Sequence, residues 1–323
     1  MAENTAIAWT DHTWNWAQGC PKNDDSRELA CKNCYMYRDK KWHGQDPAKV
    51  IRSTNDTFYF PLKSKLIKPG DKIFTCSWAD FFHEFTDPWR SEVWDIIRQT
   101  PQYIYQILTK WPENIMSRLP DDFETIQNHV WIGFTAETQK LFNKRVAYIF
   151  ELKEKYPNLI VFWSAEPLLE EIIANRALKW PINKWWNPSQ GGNENIYGKY
   201  HWEKQRFILA GDWGGLDWVI CGGESGPNAR PIHPDWVRSL RDQCEASGTP
   251  FFFKQWGEWY PNHGTGKLEG NKGEEFRPYI WITRDGQPHD SGCEPDALML
   301  RVGKKSAGDL LDGEQYHEFP EVR

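Results

Sequence analysis

The sequence predicts an α/β fold, a partial or near-complete parallel (β/α) barrel with a C-terminal extension. Three observations predict it. Six short, strongly apolar runs of strand length recur along the chain, helix-like patterns lie between several of them, and the runs repeatedly end in polar residues. The 323 residues can bury a large core, and length alone leaves one domain or two open.

Taken in order, the elements begin with an opening strand expected at Ala8 to Trp16, followed by the cysteine-bearing stretch "GCPKNDDSRELACKNCYMY". The first strong apolar run is "KIFTCSWAD" from Lys72, and Asp87-Pro88 then opens a helix over "WRSEVWDIIRQ", since proline is preorganised for a first helical turn. The runs "YIYQILTK" from Tyr103 and "VWIGFTAE" from Val130 read as buried parallel strands, and a helix is expected from Thr138 to Lys155. After "LIVFWSAEP" from Leu159 the pattern breaks. Residues 176–206 hold Gly, Pro and Asn at their centre and read as an insertion ahead of "WVICGGES" from Trp218. His233-Pro234 opens a helix that Gly248 stops, and "PFFFKQWGE" from Pro250 is the last run. The alternation of strand and helix is what implies a parallel sheet or barrel over residues 1–261. Residues 262–323 are Gly-rich at first, then hold "YIWITRDGQ" and the helix-like "GKKSAGDLLDG", and form the extension.

Ser77, Asp80, Lys110, Glu137, Glu166, Glu224, Ser225, Lys254 and Gln255 all fall where an apolar run ends. In a parallel barrel those ends line one mouth, so residues far apart in sequence would converge there. A loop beginning is explanation enough for any single one; the set makes the case.

Composition limits the function. Hydrophobic residues at 39% and charged residues at 26% describe a globular chain, and a formal charge of -6 argues against coating nucleic acid by bulk charge. The 20 Trp call for an aromatic-lined surface or cavity. No basic segment followed by an apolar one opens the chain and no apolar run nears a membrane span, so a cytoplasmic protein without a membrane partner is expected. With no export signal, disulfides explain the seven cysteines poorly.

Cys20, Cys31 and Cys34 stand in C-x10-C-x2-C order. Two metal readings are open. Structural zinc needs a fourth ligand such as His43, Cys76 or a more distant His, whereas a 4Fe-4S cluster can be held by three thiolates with one iron left open. The absence of a second C-x-x-C favours the cluster. At "CGGES", Gly222, Gly223, Glu224 and Ser225 offer backbone N–H groups and a carboxylate to a ligand, or serve a tight turn. Residues 176–206 carry six cations against two carboxylates, a local +4, interleaved with Trp180, Trp185, Trp186, Tyr197, Tyr200 and Trp202. That mixture suits single-stranded nucleic acid or the packing of a loop onto the barrel.

The segments "WTDHTWNWAQGC", "CKNCY", "SWADFFHE", "VWIGFTAE", "SAEPLL", "DWVICGGESGPNARPIHPDWVRSLRDQC", "PFFFKQWGEW" and "RVGKKSAGDLLDG" together resemble a phage and prophage family of unassigned function. That family is described as three-cysteine and radical-SAM-like, distantly similar to spore photoproduct lyase. The resemblance implies a barrel of radical-SAM type with a 4Fe-4S cluster on Cys20, Cys31 and Cys34. S-adenosylmethionine would lie along Ser77, Asp80, Glu166 and Gly222 to Ser225 and be cleaved reductively to a 5′-deoxyadenosyl radical. An electron donor such as flavodoxin or ferredoxin and the cytoplasm of a bacterial host follow from the same resemblance. The usual cysteine spacing in the superfamily is C-x3-C-x2-C, and the first gap is longer here. The expected substrate is a nucleic acid or nucleotide, contacted by Lys110, Lys254, Trp185 and Trp186. The alternative is a non-catalytic nucleic-acid-binding phage protein stapled by zinc or a cluster.

Overall fold

The computed structural model describes residues 5–21, 31–174, 177–178, 200–201, 206–207, 215–262, 278–289 and 296–321. Seven strands form one sheet in sequence order: β1 His12–Trp14, β2 Lys72–Thr75, β3 Ile104–Thr109, β4 Val130–Thr135, β5 Ile160–Ala165, β6 Trp218–Gly222 and β7 Phe251–Gln255. Every neighbouring pair is parallel. The sheet is open and strongly curled, a half-barrel with edges at β1 and β7. Each expected run supplies one strand. The opening strand is shorter than expected, three residues instead of nine, and beyond it Ala17–Gln18 pairs antiparallel with Ile51–Arg52 outside the sheet.

The helices form where their signals stand. The helix α1 spans Tyr35–Trp42 and follows the cysteine stretch; α2 spans Asp87–Gln99, with Pro88 in its first turn. Thr138 caps α3, Gln139–Lys155, by accepting from Leu141 N at 3.3 Å. His233 Nδ1 accepts from Asp235 N at 3.2 Å at the start of α4, Pro234–Ser247, and Gly248 closes that helix at φ 66°, a conformation glycine adopts without strain.

Period-2 alternation sorts the strand residues between two cores. Ile73, Tyr105, Ile107, Ile132, Phe134, Val161, Trp163, Val219 and Phe253 belong to the large core that includes the buried faces of α2, α3 and α4. The alternate residues, Phe74, Trp131, Ile160, Phe162, Trp218, Ile220 and Phe252, form a second, aromatic core with Trp9, on the concave side of the curl. Burying such side chains stabilises the fold by about 1.5–3 kcal/mol each, so the interior is a packed core and not a channel. Three of the Trp pack together here: Trp218 meets Trp9, Trp131 and Phe162 within 6.2 Å, and Trp9, Trp131 and Trp218 are all at most 2% exposed.

The extension and the three residues Trp259–Pro261 ahead of it form a four-stranded antiparallel sheet. Its strands are β8 Trp259–Pro261, β9 Tyr279–Ile282, β10 Pro288–His289 and β11 Ala297–Arg301, in the order β8-β11-β9-β10. The chain then returns to the half-barrel: Phe253 N donates to Tyr316 O, Glu318 N donates to Phe251 O, and His317 stacks on Phe252 at 4.3 Å. This return pairs the β7 edge, which would otherwise offer unpaired backbone groups to another chain. The helix-like "GKKSAGDLLDG" is one helical turn, Lys304–Ala307, followed by a two-stranded pair, because glycines at positive φ bound the turn. Among the described residues, no helix is long and apolar enough to cross a membrane.

Candidate functional site at the mouth of the half-barrel

The alternation that fills the interior with aromatics changes chemistry at the C-terminal strand ends. Two or more residues beyond Leu108, Gly133, Phe162, Ile220 and Phe252, the same side of the sheet presents Lys110, Thr135 with Glu137, Ser164 with Glu166, Gly222 with Glu224, and Lys254. The sequence therefore builds a charged rim on an apolar floor.

Lys110 Nζ donates to Glu137 Oε1 at 2.9 Å and to Thr135 Oγ1 at 3.0 Å. Arg145 Nη1 reaches Glu137 Oε2 at 3.2 Å from α3. Burial alone would raise the Glu137 carboxyl, but Lys110 and Arg145 outweigh it and hold the group below the ordinary carboxylate range. Burial likewise works against the Lys110 ammonium, and Glu137 reverses the effect, so its value is raised. Across the mouth, Lys254 Nζ pairs with Glu166 Oε1 at 2.8 Å, and Ser164 Oγ donates to Glu166 Oε2 at 3.2 Å. Gly223 leaves no room for a side chain, since a Cβ there would lie 1.9 Å from Trp256 O; a Cβ at Gly222 would come within 2.8 Å of Glu166 Oε1 and displace that carboxylate.

Other expected site residues brace the rim. Asp80 accepts from Thr109 Oγ1 and Lys110 N, both at 2.7 Å, and from Phe82 N at 3.0 Å, which ties the loop after β2 to the end of β3. Ser77 Oγ donates to Asn15 Oδ1 at 3.0 Å, and Ser77 O accepts from Tyr35 Oη at 2.5 Å. Glu224 accepts four hydrogen bonds: Asn33 Nδ2, Arg230 N and Arg230 Nε at 2.9 Å, and Arg230 Nη2 at 2.8 Å. Burial would raise its carboxyl, yet Arg230 and Asn33 hold it low. Ser225 follows it, half-buried. Trp185 and Trp186 lie outside the described residues, as does most of 176–206.

The cysteine loop reaches the same rim through Asn33 and Tyr35, but the metal reading of it is overturned. Among the described residues, which include Cys20, Cys31 and Cys34, no group of three or more His, Cys, Asp or Glu could hold a metal ion. Burial pushes the Cys20 thiol well up, and Asp80, Cys31 and Cys34 push it further. The 4Fe-4S cluster, reductive cleavage of S-adenosylmethionine, the flavodoxin or ferredoxin donor and the zinc-stapled alternative all required that site. The expectation of a radical-SAM enzyme fails with it, and the nucleic-acid substrate assigned to that chemistry goes too.

Sequence reasoning missed Asn15, Asn33, Arg145, Arg230 and Lys304. Arg145 had a signal: it falls in the buried stripe Leu141, Phe142, Val146 and Ile149 of α3, where a charge needs a buried partner. Lys304 had none. It comes from the extension and its side chain stays exposed; partial desolvation and the Lys254 ammonium push its own ammonium below the ordinary range, against Glu166 and Glu258.

Two clefts, of about 490 and 540 Å³, lie elsewhere. One runs between α2 and residues 117–120, the other at the N-terminal ends of β3 and β4. The first is lined by Arg90, Arg98 and Arg118, whose charges are paired with Asp87, Asp95 and Asp122, and so offers little to a charged ligand.

A family model described as "Protein of unknown function (DUF5131)" matches residues 4–320. No curated protein and no solved structure matches the chain. The family match supplies no link to radical-SAM enzymes or phage lyases.

Proposed function

The chain belongs to this family, whose description names no activity, and we propose that it binds a small oxyanion-bearing ligand, a phosphate or carboxylate group, at the mouth of its half-barrel. One observation carries the proposal. Lys254 from β7 is held on Glu166 at 2.8 Å, and Lys304 from the extension lies near the same pair, beside an apolar floor at the C-terminal end of a parallel sheet. An oxyanion between two such cations relieves their repulsion and gains charge-assisted hydrogen bonds. Lys110 supplies a third cation on the opposite rim, and its side chain and that of Lys254 retain 23% and 21% exposure, enough to meet a ligand from solvent.

The pairing carboxylates fit the same purpose. Glu137 and Glu166 fix the two ammoniums in place and spare the ligand the cost of ordering long side chains. Asp80 and Glu224 consume their hydrogen-bonding capacity on the protein and act as braces. Ligands in open α/β sheets bind outside the carboxyl ends of the strands, which is where these groups gather.

Thermal denaturation with inorganic phosphate, a phosphate monoester and a dicarboxylate tests the proposal. At least one should raise the unfolding midpoint in a concentration-dependent way, and the shift should be lost in Lys254→Met. No shift with any of the three, or an equal shift in Lys254→Met, would overturn it.

A further inference from the structure

Cys31 and Cys34 bracket a turn. The Cys34 backbone N–H donates to Cys31 O at 3.3 Å, and Cys34 is the residue from which α1 starts. A turn closed by that bond brings its first and fourth Cα atoms within about 7 Å, inside or near the span a disulfide bridges. Both cysteines, like Cys20, are half-buried and within reach of a small oxidant, unlike Cys76, Cys221 and Cys244, which are buried; the turn is what pairs Cys31 with Cys34.

One of the two residues inside the turn, Asn33, is the link to the mouth. Asn33 Nδ2 donates to Glu224 Oε2 at 2.9 Å and to Asn228 O at 2.8 Å, joining the turn to the loop after β6. Glu224 in turn receives Arg230 N at 2.9 Å. We infer that Cys31 and Cys34 are a reversible dithiol–disulfide couple, and that Asn33 transmits its state to the Glu224–Arg230 clamp at the rim. This is a regulation of the site proposed above and rests on that proposal only in treating the mouth as a binding site.

The exchange runs with a low-molecular-weight disulfide such as oxidised glutathione. One cysteine sulfur attacks the disulfide, forms a mixed disulfide and expels the first glutathione thiol. The second cysteine sulfur attacks the mixed disulfide, forms the Cys31–Cys34 bond and expels the second. Two protein thiols are oxidised, one small disulfide is reduced to two thiols, and the two protons leave the protein on them. Closing a sulfur–sulfur bond of about 2.05 Å fixes the turn's geometry, and the Asn33 amide moves with it.

The full chain should be equilibrated in glutathione buffers from reducing to oxidising, with accessible thiols counted and the linked peptides identified by mass spectrometry. Loss of one thiol pair, with Cys31 joined to Cys34, is expected; Cys31→Ser and Cys34→Ser should each abolish it and Cys20→Ser should not. Amide exchange at Arg230 reads the transmission. It should quicken about tenfold on oxidation, the size of losing one hydrogen bond to a charged group, and the change should be absent in Asn33→Ala. A bond between Cys20 and either partner, no bond at all, or unchanged exchange at Arg230 would overturn the inference. Because neither readout uses a ligand, failure of the oxyanion proposal would leave both results interpretable.

Discussion

Glu137 has no solvent exposure and sits between the Lys110 ammonium and the Arg145 guanidinium. Glu137→Gln would leave two largely desolvated cations without their counter-charge, and breaking a buried ion pair from one side costs about 3–5 kcal/mol. Chemical denaturation should show a loss of that order. Because the folded-state carboxyl is held low, the contribution of Glu137 to stability is present above the ordinary glutamate range and is lost as pH falls through the depressed value. The Glu137→Gln protein should therefore lose less stability than the parent between those two pH values. A parallel decline in both would place the charge of Glu137 outside the energetics. At this scale the sequence was half legible. Strand-end position found Asp80, Lys110, Glu137, Glu166, Glu224 and Lys254, whereas Asn33, Arg230 and Lys304 come from loops and the extension, whose approach to the mouth no local pattern encodes. The three cysteines misled because spacing counts ligands without knowing their geometry.

Strands and helices were easier to read than their partners. Each apolar run supplies one strand because parallel strands buried on both faces need apolar residues throughout, and caps at Thr138 and His233 set two helix starts. The antiparallel sheet of the extension escaped notice, as its strands are short and are joined by polar and Gly-rich segments without alternation. The opening strand was too long in expectation because "WTDHTWNWA" is apolar enough on both sides of the residues that pair. One element-level prediction tests how tightly the interior is packed. Gly133 of β4 faces the ring of Phe162, which a Cβ would meet at 2.4 Å. Gly133→Ala should lower stability by about 1–3 kcal/mol through overpacking. An unchanged unfolding midpoint would mean that the floor of the site is looser than described.

For the molecule as a whole, the order of strands, the curl of the sheet and the return of the tail at Tyr316 to Glu318 act together to make one mouth. The extension matters to function because it delivers Lys304 there. With its ammonium held below the ordinary range, Lys304 detracts from stability at low pH, and that cost is relieved as pH rises through the depressed value. An oxyanion seated against it must reverse the shift, since an opposite charge nearby favours the ammonium. Titration of the lysine side chains by nuclear magnetic resonance, with and without inorganic phosphate, measures this directly. The account predicts that phosphate moves the Lys304 titration to higher pH and that Lys254→Met reduces the movement. A Lys304 titration that does not respond to phosphate, in a protein whose other lysines also stay unchanged, would contradict the claim that the mouth of the half-barrel is an oxyanion site.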